Sequence, residues 1–147
     1  MKKIVVFASG SGTNAENIIK YFRKSDIASV TLLLSNNKEA KVLERAKKLL
    51  VPSLVFTKNE LNNTDLITKT LNKERPDLIV LAGFLLKFPE NILNIFSNKV
   101  INIHPMITGQ FNNQLFANEF WNDDRQNVYA YPILFNDKIF TRCRCKR

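Results

Sequence analysis

A loop with the sequence Ser9-Gly10-Ser11-Gly12-Thr13-Asn14 is the first place in the chain where residue types and spacing indicate chemistry. It follows a β-branched run and precedes a helical pattern, so free backbone N–H groups and the helix dipole would converge on one spot. The glycines would let a phosphate approach the backbone, and Thr13 and Asn14 would add side-chain donors. The alternative is an ordinary strand-to-helix turn that needs glycine for its geometry. The segment is neither a Walker A loop nor a complete dinucleotide fingerprint.

Asn102 and His104 form a second candidate pair, in the segment Asn-Ile-His-Pro. Residues two apart on a strand share a face, so the two side chains would project together, away from Ile101 and Ile103. An amide donor beside an imidazole could stabilise an oxyanion and move a proton. The alternative for His104 is a structural histidine held by hydrogen bonds.

An apolar turn that follows Gly83 is the third candidate site. It consists of Phe84, Leu85, Leu86, Lys87 and Phe88. Such a turn could hold a flat aromatic ligand by stacking and by backbone hydrogen bonds. The alternative is a turn whose side chains pack into the core.

Alternating strand and helix patterns bring these three segments to one edge of a sheet. Short apolar strands are predicted at 3–8, 29–35, 53–57, 77–82 and 99–103. Helical patterns lie between them, at about 15–24, 38–50 and 64–72, with a short helix opened by Pro89. The chain is therefore predicted to form an α/β fold with a doubly wound, mostly parallel, Rossmann-like sheet. Ligands bind such sheets at the carboxyl ends of the strands.

The composition is that of a folded domain rather than a disordered or membrane-spanning chain. The 147 residues are 45% apolar and 24% charged, with a formal net charge of +9. No apolar run approaches the ~20 residues that cross a bilayer. The apolar core after Met1 is too short for a signal peptide, and Cys143 and Cys145 lie too near the end to staple a fold or bind zinc. We therefore expect a cytoplasmic protein without a membrane partner or a metal.

The excess of positive charge favours a solvated basic helix face, as the spacing of Lys38, Lys41, Arg45 and Lys48 indicates. The alternative is that the charge attracts anionic ligands such as phosphates. A nucleic-acid partner is not expected, because aromatic residues do not alternate with arginines and no ribonucleoprotein signature occurs.

Four segments of the chain, taken in order, resemble a known family. They are IVVFASGSGTN, LSNNKEAKVLERAKK, PDLIVLAGFLLKFP and VINIHP. Their order and spacing resemble those of the phosphoribosylglycinamide formyltransferase family, one of the folate-dependent formyltransferases, over residues 1–105. Methionyl-tRNA formyltransferases share the Asn-x-His pair and are the alternative, but the SGSGTN loop and the short first helix favour the purine enzymes.

The reaction that this resemblance implies belongs to de novo purine (IMP) biosynthesis. A formyl group passes from 10-formyltetrahydrofolate, a co-substrate, to the amine of glycinamide ribonucleotide. Asn102 and His104 match the family residues that hold the oxygen of the tetrahedral intermediate and assist proton transfer. No metal is implied.

The resemblance also assigns the two binding segments. Gly12, Thr13 and Asn14 match the loop that holds the phosphate of the nucleotide. Residues 84–88 match the segment that lines the pterin pocket of the folate, to which Asn102 also contributes. Within this segment, Leu85 and Lys87 are the expected wall and backbone contacts.

The resemblance ends at Pro105, which divides a formyltransferase-like domain, 1–105, from an atypical tail, 106–147. In the tail, none of Asp123, Asp124 and Asp137 aligns with the Asp that orients the family's histidine. We expect a shifted reading frame or a truncated variant, with a sheet that is incomplete at its C-terminus and an exposed edge that favours self-association. Slow or absent formyl transfer follows, and the alternative function is that of a non-catalytic phosphate- or nucleotide-binding fragment.

Overall fold

The computed structural model describes residues 1–103 in full and the backbone of two later strands, 128–135 and 138–145. The strands are β1 (Lys2–Phe7), β2 (Ala28–Ser35), β3 (Ser53–Val55), β4 (Leu78–Ala82), β5 (Val100–Ile103), β6 (Val128–Phe135) and β7 (Lys138–Cys145). The helices are α1 (Thr13–Phe22), α2 (Lys41–Lys48), α3 (Lys58–Asn63), α4 (Leu66–Glu74) and α5 (Glu90–Ile95). Strands and helices thus alternate from β1 to β5, as predicted.

Five parallel strands form the main sheet, in the order β3-β2-β1-β4-β5. The central strand β1 pairs with β2 on one side and with β4 on the other. The order in which strands are added to the sheet therefore reverses between β3 and β4. This reversal produces a topological switch point at the carboxyl ends of β1 and β4. This arrangement confirms the predicted α/β fold and defines the crevice where such folds bind ligands.

Helices cover both faces of the sheet, which confirms that the fold is doubly wound. On β1, Ile4 and Val6 join a buried cluster with residues of α1 and α2. Val5 and Phe7 join a second cluster, with residues of α3, α4 and α5. Because successive side chains of a strand point to opposite faces, both sets are buried, and the strand is continuously apolar.

The helices are shorter or more divided than the sequence pattern predicts. α2 begins later because Asn37 forms a turn before it, in which the Asn37 carbonyl accepts the Ala40 N–H at 3.1 Å. The single helix predicted from residue 64 is preceded by α3, which was not predicted. α3 begins with a capping box: Thr57 Oγ1 accepts the Glu60 N–H at 3.1 Å, and the Glu60 carboxylate accepts the Thr57 N–H at 2.6 Å.

Strands β6 and β7 form a separate antiparallel hairpin that the sequence analysis did not predict. Its register pairs Val128 with Cys145, and the backbone of β7 lies next to β5, an edge strand of the main sheet. Self-association through that edge stays a prediction. Asp123, Asp124 and Asp137 lie outside the described residues.

Asp77 links the start of β4 to the start of β1 by hydrogen bonds, at the amino edge of the sheet. Its carboxylate accepts the Lys3 N–H at 2.9 Å and a hydrogen bond from the Lys2 ammonium at 3.0 Å. The backbone hydrogen bond from Lys3, and then the bond from Lys2, lower the pKa of Asp77 below its ordinary value of 3.8.

Asp77→Asn is expected to destabilise the protein at neutral pH but not in strong acid. A carboxyl group with a lowered pKa contributes stability above its unfolded-state pKa, and that contribution is lost as the pH falls through the folded-state pKa. Urea midpoints of the wild type and the variant should therefore differ at pH 7 and converge at pH ~2. Asp65→Asn, which alters an exposed pair with Lys69 at 3.7 Å, is the control. An equal Asp77→Asn difference at both pH values would contradict the expectation.

Candidate active site

The loop between β1 and α1 lies at the carboxyl edge of the sheet, as predicted. Gly12 has φ 74° and ψ 21°, a left-handed conformation that favours glycine. The Glu16 N–H donates to the Gly12 carbonyl at 2.8 Å and starts the helical ladder, so the N–H groups of Thr13 and Asn14 lie ahead of it. Thr13 is exposed and Asn14 is half-buried. The first turn of α1 can therefore present N–H groups to an anion.

Ser9 joins this loop to the ends of two other strands. Its N–H donates to the Gly83 carbonyl at 3.2 Å, and its hydroxyl accepts the Leu85 N–H at 2.9 Å. The same hydroxyl donates to Asn36 Oδ1, just beyond β2, at 2.5 Å. Buried Ser9 thus links the loop after β1 to the loops after β2 and β4. Sequence reasoning did not predict this bridge, whose only signal was a serine directly after a buried strand.

Some side chains of the turn after β4 pack into the core, and others are exposed. Phe88 is buried and Phe84 half-buried, and their rings lie 5.1 and 5.4 Å from the Phe7 ring in edge-to-face geometry. Leu86 packs partly against the same cluster. Leu85 is 65% exposed, and Lys87 is exposed as well. The core-packing interpretation therefore holds for the two phenylalanines, whereas Leu85 and Lys87 are the exposed side chains of this turn.

Asn102 lies in β5 beside Leu81 of β4, and it is 8% exposed. Ile101 and Ile103 belong to the core on the α1 and α2 face, so Asn102 projects to the opposite face, as the alternation of the strand predicts. His104 lies outside the described residues. The pairing of Asn102 with His104 therefore stays a prediction.

Two kinds of feature do not occur in the described part of the chain. Within it, no group of three His, Cys, Asp or Glu side chains is placed to hold a metal ion. None of its helices is both long enough and apolar enough to span a bilayer.

The switch point, the glycine-containing loop before α1 and the buried amide of β5 lie at the carboxyl edge of the sheet, where α/β domains of this class bind ligands. Over residues 2–116 the sequence matches the family described as formyl transferase. The chain belongs to this family. The resemblance predicted for residues 1–105 is thereby confirmed, and the match runs on past Pro105.

Known relatives agree with this assignment. The phosphoribosylglycinamide formyltransferase of Bacillus subtilis is 35% identical over 116 residues, which cover 76% of this chain and 60% of the relative. The one from Dictyostelium discoideum is 30% identical over an alignment of 154 positions, which covers 92% of this chain and 75% of the relative. The chain spans only 60% and 55% of the lengths of the Bacillus subtilis and Haemophilus influenzae relatives.

Solved structures share the fold. Glycinamide ribonucleotide transformylase 1 from Geobacillus kaustophilus matches with a TM-score of 0.69 and 28% identity, covering 100% of this chain and 81% of that one. The phosphoribosylglycinamide formyltransferase from Anaplasma phagocytophilum has a TM-score of 0.65 and 31% identity, with 82% and 59% covered. The division at residue 105 and the origin of the tail stay predictions.

Proposed function

We propose that this chain carries the substrate-binding and formyl-transfer site of a phosphoribosylglycinamide formyltransferase. The observation that carries the proposal is the bridge through Ser9, which joins an anion-binding loop to the turn after β4 at 2.9 Å. One ligand with a phosphate and a second with a flat ring system would thus bind on adjacent loops. The names of the curated relatives support this choice of substrates.

Each loop has a role in this proposal. The first turn of α1, from Gly12 to Asn14, holds the phosphate of glycinamide ribonucleotide through backbone N–H groups. The turn at 84–88 holds 10-formyltetrahydrofolate, with Leu85 and Lys87 toward the pterin ring and the phenylalanines as a rigid base. Asn102 on the neighbouring strand donates to the formyl oxygen.

The chemistry is acyl transfer between two nitrogens. The amine of the ribonucleotide attacks the formyl carbon, and the carbonyl oxygen takes the negative charge of a tetrahedral intermediate. Asn102 and His104 stabilise this oxygen, and His104 assists the movement of the amine proton. Collapse of the intermediate breaks the bond to the folate nitrogen, which receives the proton. We propose that the protein works in the cytoplasm and uses no metal.

The test begins with binding, because the expected transfer is slow without the family Asp. Glycinamide ribonucleotide is titrated into the isotope-labelled chain while the backbone amide signals of residues 11–14 are followed. We expect saturable shifts at these amides, and none at the backbone amide of Lys73, an exposed residue near the far end of α4. An unphosphorylated glycinamide riboside is the matched control, and it should not produce the shifts.

Formyl transfer is then measured with the chain in excess over both substrates. We expect product to form at a rate well below a typical enzyme turnover of about 10 s⁻¹. Saturable binding without any product would favour the binding fragment over the enzyme. The absence of both binding and product would overturn the proposal.

A further inference from the structure

Helix α2, which belongs to the next strand–helix unit, holds the carbonyl groups of the loop between β1 and α1. The Gly10 carbonyl accepts the Val42 N–H at 3.2 Å. The Ser11 carbonyl accepts a hydrogen bond from Arg45 Nε at 2.8 Å. Gly12 is buried against Val42. The loop is therefore shaped by α2 as well as by the helix that it opens.

These two hydrogen bonds also set the direction of the loop's N–H groups. The peptide bonds of the loop are trans, and in a trans peptide the C=O and the N–H of one plane point in opposite directions. With the carbonyls of Gly10 and Ser11 turned to α2, the N–H groups of Ser11 and Gly12 point away from it. They can thus join the free N–H groups of the first turn of α1 in binding an anion.

Arg45 also controls the charge beside the loop. Its Nη1 pairs with the Glu16 carboxylate, whose other oxygen lies 2.6 Å from Lys20 Nζ. The side chains of Arg45 and Glu16 are 36% and 19% exposed. Glu16 stands one turn into α1, where an unpaired carboxylate would repel a bound anion. The two cations remove that repulsion.

We propose that Arg45 is a positioning residue of this site: it orients the Ser11–Gly12 peptide and neutralises Glu16, so that the loop binds a phosphate monoester. The inference rests on the proposed function, since the phosphate belongs to the ribonucleotide substrate. Arg45 touches the loop rather than the ligand. Substitution of Arg45 should therefore lower the affinity for phosphate and leave the affinity for the folate unchanged.

Inorganic phosphate is the probe, titrated at constant ionic strength into the 147-residue chain while the Ser11 and Gly12 amide signals are followed. Arg45→Gln is expected to weaken phosphate binding about tenfold, because it removes a charge-assisted hydrogen bond to the loop and leaves Glu16 paired with Lys20 alone. Lys48→Gln removes the same charge from an exposed position on the same helix and should weaken binding less than about twofold. Affinity for a non-transferring formyl folate should stay the same in both variants.

Arg45→Lys keeps a charge near Glu16 but cannot donate from a planar fork, so its phosphate affinity should lie between those of the wild type and Arg45→Gln. Urea midpoints of all variants identify any loss of folding, and Arg45→Lys serves as the test if Arg45→Gln does not fold. Equal phosphate affinity in the Arg45 variants and in Lys48→Gln would overturn the inference and leave the proposed function standing. A wild-type chain that binds neither phosphate nor the ribonucleotide would overturn both.

Discussion

Gly12→Ala should destabilise the protein by about 2–5 kcal/mol and abolish phosphate binding by the loop. A Cβ at this position would lie 2.2 Å from Val42 Cγ2, 2.4 Å from Val42 Cβ and 2.8 Å from Val42 Cα. The φ of +74° adds the strain that an L side chain meets in the left-handed region. Because one of the contacts is to backbone, α1 and α2 must move apart. Urea unfolding and the phosphate titration measure the two effects.

Gly10→Ala is the matched control, since it makes the same change in the same loop. A Cβ at Gly10 would meet nothing within 4 Å. We expect it to alter the free energy of unfolding by less than about 1 kcal/mol. Similar losses in the two variants would show that the loop, rather than the contact of Gly12 with α2, is sensitive to substitution. Val42→Ala should not rescue Gly12→Ala, because the contact to Val42 Cα at 2.8 Å remains.

Asn102→Ala should lower the rate of formyl transfer by about 100- to 1000-fold while changing the affinity for the ribonucleotide little. The amide donates to an oxygen that becomes negative only as the tetrahedral intermediate forms, so its loss raises the barrier more than it weakens binding. The measurement is a single-turnover assay of formyl transfer with the chain in excess. Asn102→Asp, close in shape but unable to donate, should lose as much.

Asn72→Ala provides the control for Asn102→Ala. Asn72 is an exposed amide on α4, near the end of the helix that leads into the amino end of β4. Its substitution should leave the transfer rate unchanged. Urea midpoints separate a catalytic effect from a structural one, because Asn102 is buried and its loss can also weaken β5. A fall of less than about tenfold in Asn102→Ala would remove Asn102 from the catalytic group.

Most strands of the sheet could be predicted because the sequence signals that specify them extend over only a few residues. β4 is an unbroken apolar run, and Pro89 stands directly before α5. The existence of α3 was missed although its signal was present, since Thr57 and Glu60 have the spacing of a capping box. The hairpin of β6 and β7 was missed because residues 106–147 were treated as an atypical tail, to which no strand or helix was assigned.

The segments of the candidate site were predicted from the sequence, but the contacts between those segments were not. The glycines of the first loop, the turn after Gly83 and Asn102 were proposed as site residues from residue type and position, and all three lie at the carboxyl edge of the sheet. The division of the turn into buried phenylalanines and an exposed Leu85 was not, because burial depends on Phe7, which lies far away in the chain and adjacent in the sheet.

The amino-acid sequence alone was sufficient to predict the fold class, the family and the edge of the sheet where the candidate site lies. These follow from apolar periodicity, glycine positions and short motifs, which act over a few residues. The contacts that shape the candidate site appear only when the chain is folded: Arg45 donates to the Ser11 carbonyl across 34 residues, and the Leu85 N–H donates to the Ser9 hydroxyl across 76. Such contacts arise when parallel strands from distant parts of the chain become neighbours, and no local pattern specifies them.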